Sequence, residues 1–150
     1  MTEYRIQKYV CRLVKDGAER VVSRKYLPNC EAAAALFESV FRDVPHEEVW
    51  LATCNAANVV QGLIRVSQGG LHGAALRPVD VLRPVIASGH GAFLMAHNHP
   101  SGDPTPSEAD REMTRLLIEA SNLIGLTCLD HIIWAGPGKY RSLRDSMAFD

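Results

Sequence analysis

The sequence predicts a mixed α/β domain in which helices pack on a single central sheet. Three observations carry that prediction. Short runs rich in β-branched and other apolar residues alternate with segments whose apolar residues recur at helical spacing. One segment, residues 105–125, has the full signature of a capped amphipathic helix. The runs 91–97 and 126–135 are short and almost wholly apolar, as strands buried on both faces are.

Taken in order, "EYRIQKYVCRLV" (3–14) mixes charge with β-branched and aromatic residues and reads as a strand. "CEAAAALFESVF" (30–41) is alanine-rich, has helical spacing and follows Asn29, a good capping residue. "EVWLATC" (48–54) and "VVQGLIRV" (59–66) read as a hairpin around the turn "NAAN". "PVDVLRPVIAS" (78–88) opens on proline as helices often do. Its Pro84 removes a backbone donor mid-helix, so the segment is read as a helix with a kink allowed there. "GAFLMAH" (91–97) is a buried strand. In "TPSEADREMTRLLIEASNLIG" (105–125), Thr105 and Glu108 have capping-box spacing and Pro106 takes the first helical position. Leu116, Leu117, Ala120, Leu123 and Ile124 would form the buried face, and Gly125 the C-terminal stop. "LTCLDHIIWA" (126–135) is a further buried strand, and "YRSLRDSM" (140–147) closes the domain.

At 150 residues the chain is expected to be one domain, 1–150, large enough to bury its own core. Residues are 47% hydrophobic and 22% charged, an ordinary soluble composition. A net charge of −1 and a pI near 6.6 give no strong electrostatic pull on nucleic acid. No apolar run approaches the roughly 20 residues of a membrane span. The first fifteen residues lack the apolar core of a signal peptide, so the expected location is the cytoplasm, with no membrane partner. Cys11, Cys30, Cys54 and Cys128 form no CxxC pair and are read as free, mostly buried thiols.

The chemistry concentrates in "AHNHPSGDPTPSEAD" (96–110). In a strand, residues i and i+2 point to one face, so His97 and His99 would project together at the strand's exit. The loop "PSGDP" reverses the chain. The following helix then returns Ser107 and Asp110, which at i, i+3 share one side of its first turns. Two neutral imidazoles and one carboxylate suit Zn²⁺ and leave a fourth position for water, the pattern of a catalytic zinc. Zinc lowers the pKa of such a water from about 16 to about 7. His46, His72 and His90 have no partner at a ligand spacing and read as surface or loop residues. Trp50 and Trp134 sit in strands and read as core.

"HNHPSGDPTPSEAD" resembles the JAMM motif of JAB/MPN metalloproteins, His-x-His, seven residues, Ser-x-x-Asp, and fits it without a gap. With "LDHIIWA" and "YRSL" in the same order, residues 30–146 resemble the bacterial RadC family, labelled as DNA-repair proteins. The resemblance implies a JAB/MPN, cytidine-deaminase-like fold and one zinc per chain held by His97, His99 and Asp110. It implies Glu47 as general acid–base, with Glu48 as fallback because a one-residue slip turns a strand residue to the other face. It also implies Ser107 as the hydroxyl that steadies the reacting water and the developing oxyanion. Asp130-His131 recurs in such chains and is read as a buried hydrogen-bonded pair supporting the site. Asp130 is there the candidate carboxylate partner for a ligand histidine. Asp103 is expected to shape its turn.

The function these readings imply is hydrolysis of an amide or isopeptide bond by metal-activated water, on a peptide or protein-conjugate substrate. Nucleic-acid processing, in line with the RadC label, is the alternative; a non-catalytic JAB interaction module is the other. RadC proteins carry a helix-hairpin-helix region, and none is evident in the residues before Glu47. The glycine that follows "Y-x-S-L" in the family is Met147 here. The missing region weakens an inherited claim on DNA, as does the near-neutral charge; Met147 is distant in sequence from the metal motif. The consecutive letters "HNH" are no sign of an HNH nuclease, whose residues come from a ββα-metal arrangement. The His-x-Glu and Pro-Cys-x-x-Cys signature of a zinc deaminase is missing. A homodimer is compatible with exposed sheet edges and helices.

Overall fold

The computed structural model describes Val14 and residues 26–69 and 76–147. The strand read over 3–14 lies outside these except for Val14, and Cys11 and His72 lie outside them too. The elements are α1 (Cys30–Phe41), β1 (Glu48–Cys54), β2 (Val60–Gln68), α2 (Pro78–Ser88), β3 (Ala92–Asn98), α3 (Glu108–Leu123), β4 (Thr127–Gly136) and β5 (Lys139–Ser142). The strands form one mixed sheet in the order β2-β1-β3-β4-β5. Among the described strands only β3 and β4 run parallel, joined by α3 as crossover helix. The predicted α/β class and single mixed sheet are what the structure has.

Each face of the sheet has its own core. On one face α1 lays Ala33, Leu36, Phe37, Val40 and Phe41 against Ala52, Leu94, Ala96, Ile132 and Trp134. Asn29 caps that helix by accepting from the Ala32 amide at 2.9 Å. On the other face α2 and α3 cover Val49, Leu51, Phe93 and Met95 with Val81, Val85, Met113 and Leu117. The β1–β2 turn is organised by Asn55, whose Oδ1 accepts from the amides of Ala57 and Val59 at 3.0 Å each. The second strand of that hairpin starts one residue later than read and runs on to Gln68. Helix α2 forms in spite of Pro84, because Val81, Leu82 and Val85 are buried on its inner side. Asp80 also accepts from the Arg77 amide at 3.0 Å and so secures the first turn.

Helix α3 departs from the sequence reading in two ways. It begins at Glu108 with Ser107 as cap, not at Pro106 with Thr105 as cap. Thr105 is unavailable because its amide and hydroxyl both donate to Asp103 Oδ1, at 2.9 and 2.7 Å. The capping box is therefore Ser107 with Asp110. The Ser107 amide donates to Asp110 Oδ2 at 2.8 Å, and the Asp110 amide donates to Ser107 Oγ at 3.1 Å. The buried face is also different. It comprises Asp110, Met113, Thr114, Leu117 and Ser121, whereas Leu123 is 87% exposed and Leu116 and Ile124 are partly so. Asp110 is drawn to the interior and rotates the helix with it. The hydroxyls of Thr114 and Ser121 are tolerated inside because each donates to a carbonyl one turn back, at 2.6 and 2.5 Å. Gly125 stops the helix in the left-handed region, φ +77°, as read.

The rotation has a measurable consequence. Leu117→Ala is expected to cost about 2–5 kcal/mol of unfolding free energy. Leu123→Ala is expected to stay within about 0.5 kcal/mol of wild type. Chemical denaturation of the two variants checks this, and equal losses would mean that the apolar stripe, not Asp110, orients the helix.

Candidate metal centre

Strand β3 lies between β1 and β4, and all seven of its residues are buried. Its pairing with β1 places His97 opposite Val49. Pairing continues past the strand's formal end, because the His99 amide donates to the Trp134 carbonyl at 2.8 Å. His97 and His99 therefore leave the sheet on one side, their ring centroids 4.8 Å apart. The chain then turns at Gly102, φ +83°, and the Asp103 turn delivers it to the Ser107 cap. The capping box described above fixes Asp110 one turn into α3, its carboxylate facing the two rings.

The three side chains converge on a point. His97 Nε2 and His99 Nε2 are 2.9 Å apart. Asp110 Oδ1 lies 3.2 Å from His97 Nε2, and Oδ2 lies 3.5 Å from His99 Nε2. One ligand-type atom from each residue falls within 4.8 Å of the others. His97 is 1% exposed and Asp110 0%, while His99 at 12% forms the open side. His99 Nδ1 contacts the Asp103 carbonyl at 2.8 Å. A carbonyl can only accept, so Nδ1 carries the hydrogen and Nε2 presents a lone pair to the centre. Among the described residues Asp110 Oδ1 is buried without a hydrogen bond. An acceptor so placed, with two imidazole nitrogens beside it, fits a bound cation. The group can hold a divalent metal that favours nitrogen and oxygen donors.

Electrostatics agree with this arrangement. Burial opposes the charged form of Asp110, yet the two imidazoles and the Ser107 amide hold its carboxyl well below the usual range. The Asp110 carboxylate raises the His99 pKa above its ordinary value, against the effect of partial burial.

Glu47 and Glu48 separate cleanly. Glu48 is buried, and its carboxylate is taken by Trp50 Nε1 at 2.7 Å, His46 Nε2 at 3.1 Å and Arg65 at 3.5 Å. Its side chain belongs to the Trp50 side, where α1 packs. Glu47 stands one residue before β1 and is half-buried, in phase with Val49 opposite His97. Its charge reaches His99 and contributes to raising that ring's pKa. Ser107 Oγ accepts from the Asp110 amide, and its own hydrogen is used in no hydrogen bond among the described residues.

Three neighbours carry weight here, of which the sequence had singled out only His131, as part of a buried pair supporting the site. Asn98 is 2% exposed; its Oδ1 accepts from the Glu48 amide at 2.7 Å and its Nδ2 donates to the His46 carbonyl at 2.9 Å. It thus clasps the backbone on both sides of Glu47. Its place between the histidines was the available signal. The second neighbour is His131, whose Nε2 lies 2.8 Å from His97 Nδ1. The third is Thr114, which touches the far side of the His131 ring. The expectation that Asp130 backs a ligand histidine is corrected here. Strand alternation sends Asp130 to the other face, where it accepts from the His131 amide, Ser142 Oγ and the Arg144 amide. His46 and His90 do have partners, Glu48 and Gln68 for the first and Thr53 for the second, but neither touches the metal centre. Cys30, Cys54 and Cys128 are free thiols, as read. Burial pushes the latter two up to about 11 and about 12.

Comparison with known proteins agrees with the fold and the motif. A profile described as the RadC-like JAB domain matches residues 27–148. A UPF0758 protein of Moorella thermoacetica is 37% identical over 124 residues, covering 83% of this chain and 54% of the relative. A UPF0758 protein of Symbiobacterium thermophilum is 40% identical over 114 residues, covering 74% and 48%. One from Listeria welshimeri is 47% identical over 81 residues, covering 54% and 36%. The chain spans about half the length of the first two of these relatives. No helix among the described residues is long and apolar enough to cross a membrane. With four fifths of its length matched by one profile and its His-x-His and Ser-x-x-Asp side chains gathered at one point, this chain belongs to the RadC-like JAB domain family.

Proposed function

We propose that this chain is a zinc-dependent hydrolase of amide or isopeptide bonds. The observation that carries the reading is the convergence of His97, His99 and Asp110, with one side open at His99. Two imidazoles and a carboxylate with an open fourth position are a catalytic zinc donor set. Zinc bound there supplies a Lewis acid and makes water a usable nucleophile near pH 7.

The remaining steps belong to the chain's own residues. Glu47, held in phase with His97, takes a proton from the attacking water and returns it to the leaving nitrogen. Asn98 keeps Glu47 at that position by fixing both neighbouring backbone groups. The free Ser107 hydrogen is donated to the oxyanion that develops on the scissile carbonyl. The α3 N-terminus, whose dipole favours negative charge, assists there. A peptide or a protein conjugate is the substrate class that suits this chemistry. The near-neutral charge favours neither DNA binding nor an acidic surface partner.

Zinc-dependent turnover of a peptide library tests the reading. Glu47→Gln is expected to retain about one zinc per chain and to lose about 10²–10⁴-fold in turnover. Zinc-bound wild type with no activity on any peptide or conjugate would instead favour a non-catalytic interaction module. Ser107→Ala is expected to lose about 10²–10³-fold in turnover. It also removes the α3 cap and should cost about 1 kcal/mol of stability, read by thermal unfolding. A Ser107→Ala variant with full activity would remove Ser107 from the mechanism.

A further inference from the structure

A chain of buried hydrogen bonds runs behind His97, away from the open side. Thr114 Oγ1 donates to the Asp110 main-chain carbonyl at 2.6 Å. The same oxygen lies 2.6 Å from His131 Nδ1, and His131 Nε2 lies 2.8 Å from His97 Nδ1. Thr114, His131 and His97 are each at most 1% exposed, so the chain lies away from bulk solvent.

The direction of every hydrogen in it follows from one constraint. The Asp110 carbonyl can only accept, so it takes Thr114's single hydrogen. Thr114 Oγ1 can then only accept from the ring behind it, which puts the His131 hydrogen on Nδ1. His131 Nε2 is left as a lone pair and must accept from His97 Nδ1–H. His97 therefore turns a bare Nε2 towards Asp110 and towards His99 Nε2, 2.9 Å away, where a metal ion, or in the metal-free protein a second proton on His99, must stand between the two nitrogens. The opposite orientation would set Thr114 Oγ1 and the Asp110 carbonyl oxygen 2.6 Å apart with no hydrogen between them.

We propose that Thr114 and His131 are positioning residues that hold His97 in its metal-binding tautomer, with the Asp110 main chain setting the direction of the relay. This rests on the metal reading above. The Asp110 residue then acts twice: its carboxylate faces the centre, and its carbonyl fixes the proton on the far ligand. The role is distinct from that of the Asp103 carbonyl, which does the same for His99 directly. Replacing Thr114 by valine keeps the shape and removes the oxygen. His131 Nδ1–H would then have no acceptor, so its hydrogen moves to Nε2 and is donated to His97 Nδ1. The His97 hydrogen is displaced onto Nε2, where it blocks the ligand position.

Two measurements test this. Zinc affinity, by competition with a chelator, is expected to weaken about 10–100-fold in Thr114→Val and to return to wild type in Thr114→Ser. Imidazole ¹⁵N NMR of the zinc-free protein is expected to find His97 and His131 both protonated on Nδ1 in wild type and Thr114→Ser, and both on Nε2 in Thr114→Val. Wild-type zinc affinity in a folded Thr114→Val, or a wild-type His131 protonated on Nε2, would overturn the proposal. The wild-type spectrum decides even if Thr114→Val does not fold. Failure of the metal reading shows separately, as a wild type that binds no zinc whatever its tautomers.

Discussion

Asp110 is a carboxylate with no exposed surface, and one of its oxygens finds no hydrogen-bond donor. Burying such a charge costs several kcal/mol unless positive charge or donors meet it. Much of the surrounding architecture answers that demand. The Ser107 amide and the α3 N-terminus face one oxygen. The two imidazoles leaving β3 face both, and positive charge placed among the three side chains would complete the compensation. Helix α3 is turned so that Asp110 points inward, and its hydroxyl-bearing neighbours Thr114 and Ser121 follow it into the core. The helix's most apolar stripe is left partly in solvent as a result. Local hydrophobic preference has yielded to an electrostatic requirement at the helix start.

The same constraint explains what could be read from the sequence. Helix α1, the β1–β2 hairpin, α2 and the strands β3 and β4 follow from periodicity and capping, which act over a few residues. The spacing His-x-His and Ser-x-x-Asp was legible because a strand of period two and a helix of period 3.6 translate it into shared faces. The cap and buried side of α3 were not. Both depend on tertiary facts, namely the capture of Thr105 by Asp103 and the inward pull on Asp110. The different facing of Glu47 and Glu48 likewise depends on which side of β1 packs on α1. Asp130 and His131 show the limit most plainly: adjacent in sequence, they face opposite sides of the sheet, and only His131 reaches His97.

The site is thereby assembled from three pieces of backbone. The end of β3 provides the histidines and the start of α3 the carboxylate; in the proposed reaction the start of α3 also supplies the hydroxyl and the approach to β1 the glutamate. Asn98 ties the first to the third, and the Thr114–His131 relay ties the first to the second. Such ties hold groups to the fraction of an ångström that metal binding and proton transfer need.

The central claim is that these buried groups are arranged for a metal. The most direct measurement is elemental analysis with X-ray absorption on protein purified in metal-free buffers and reloaded with zinc, beside Asp110→Asn. About one zinc per chain is expected in wild type, with nitrogen and oxygen ligands at about 2.0–2.2 Å, and its loss in a folded Asp110→Asn. A wild type that retains no zinc after reloading, or an Asp110→Asn variant that keeps it unchanged, would contradict it.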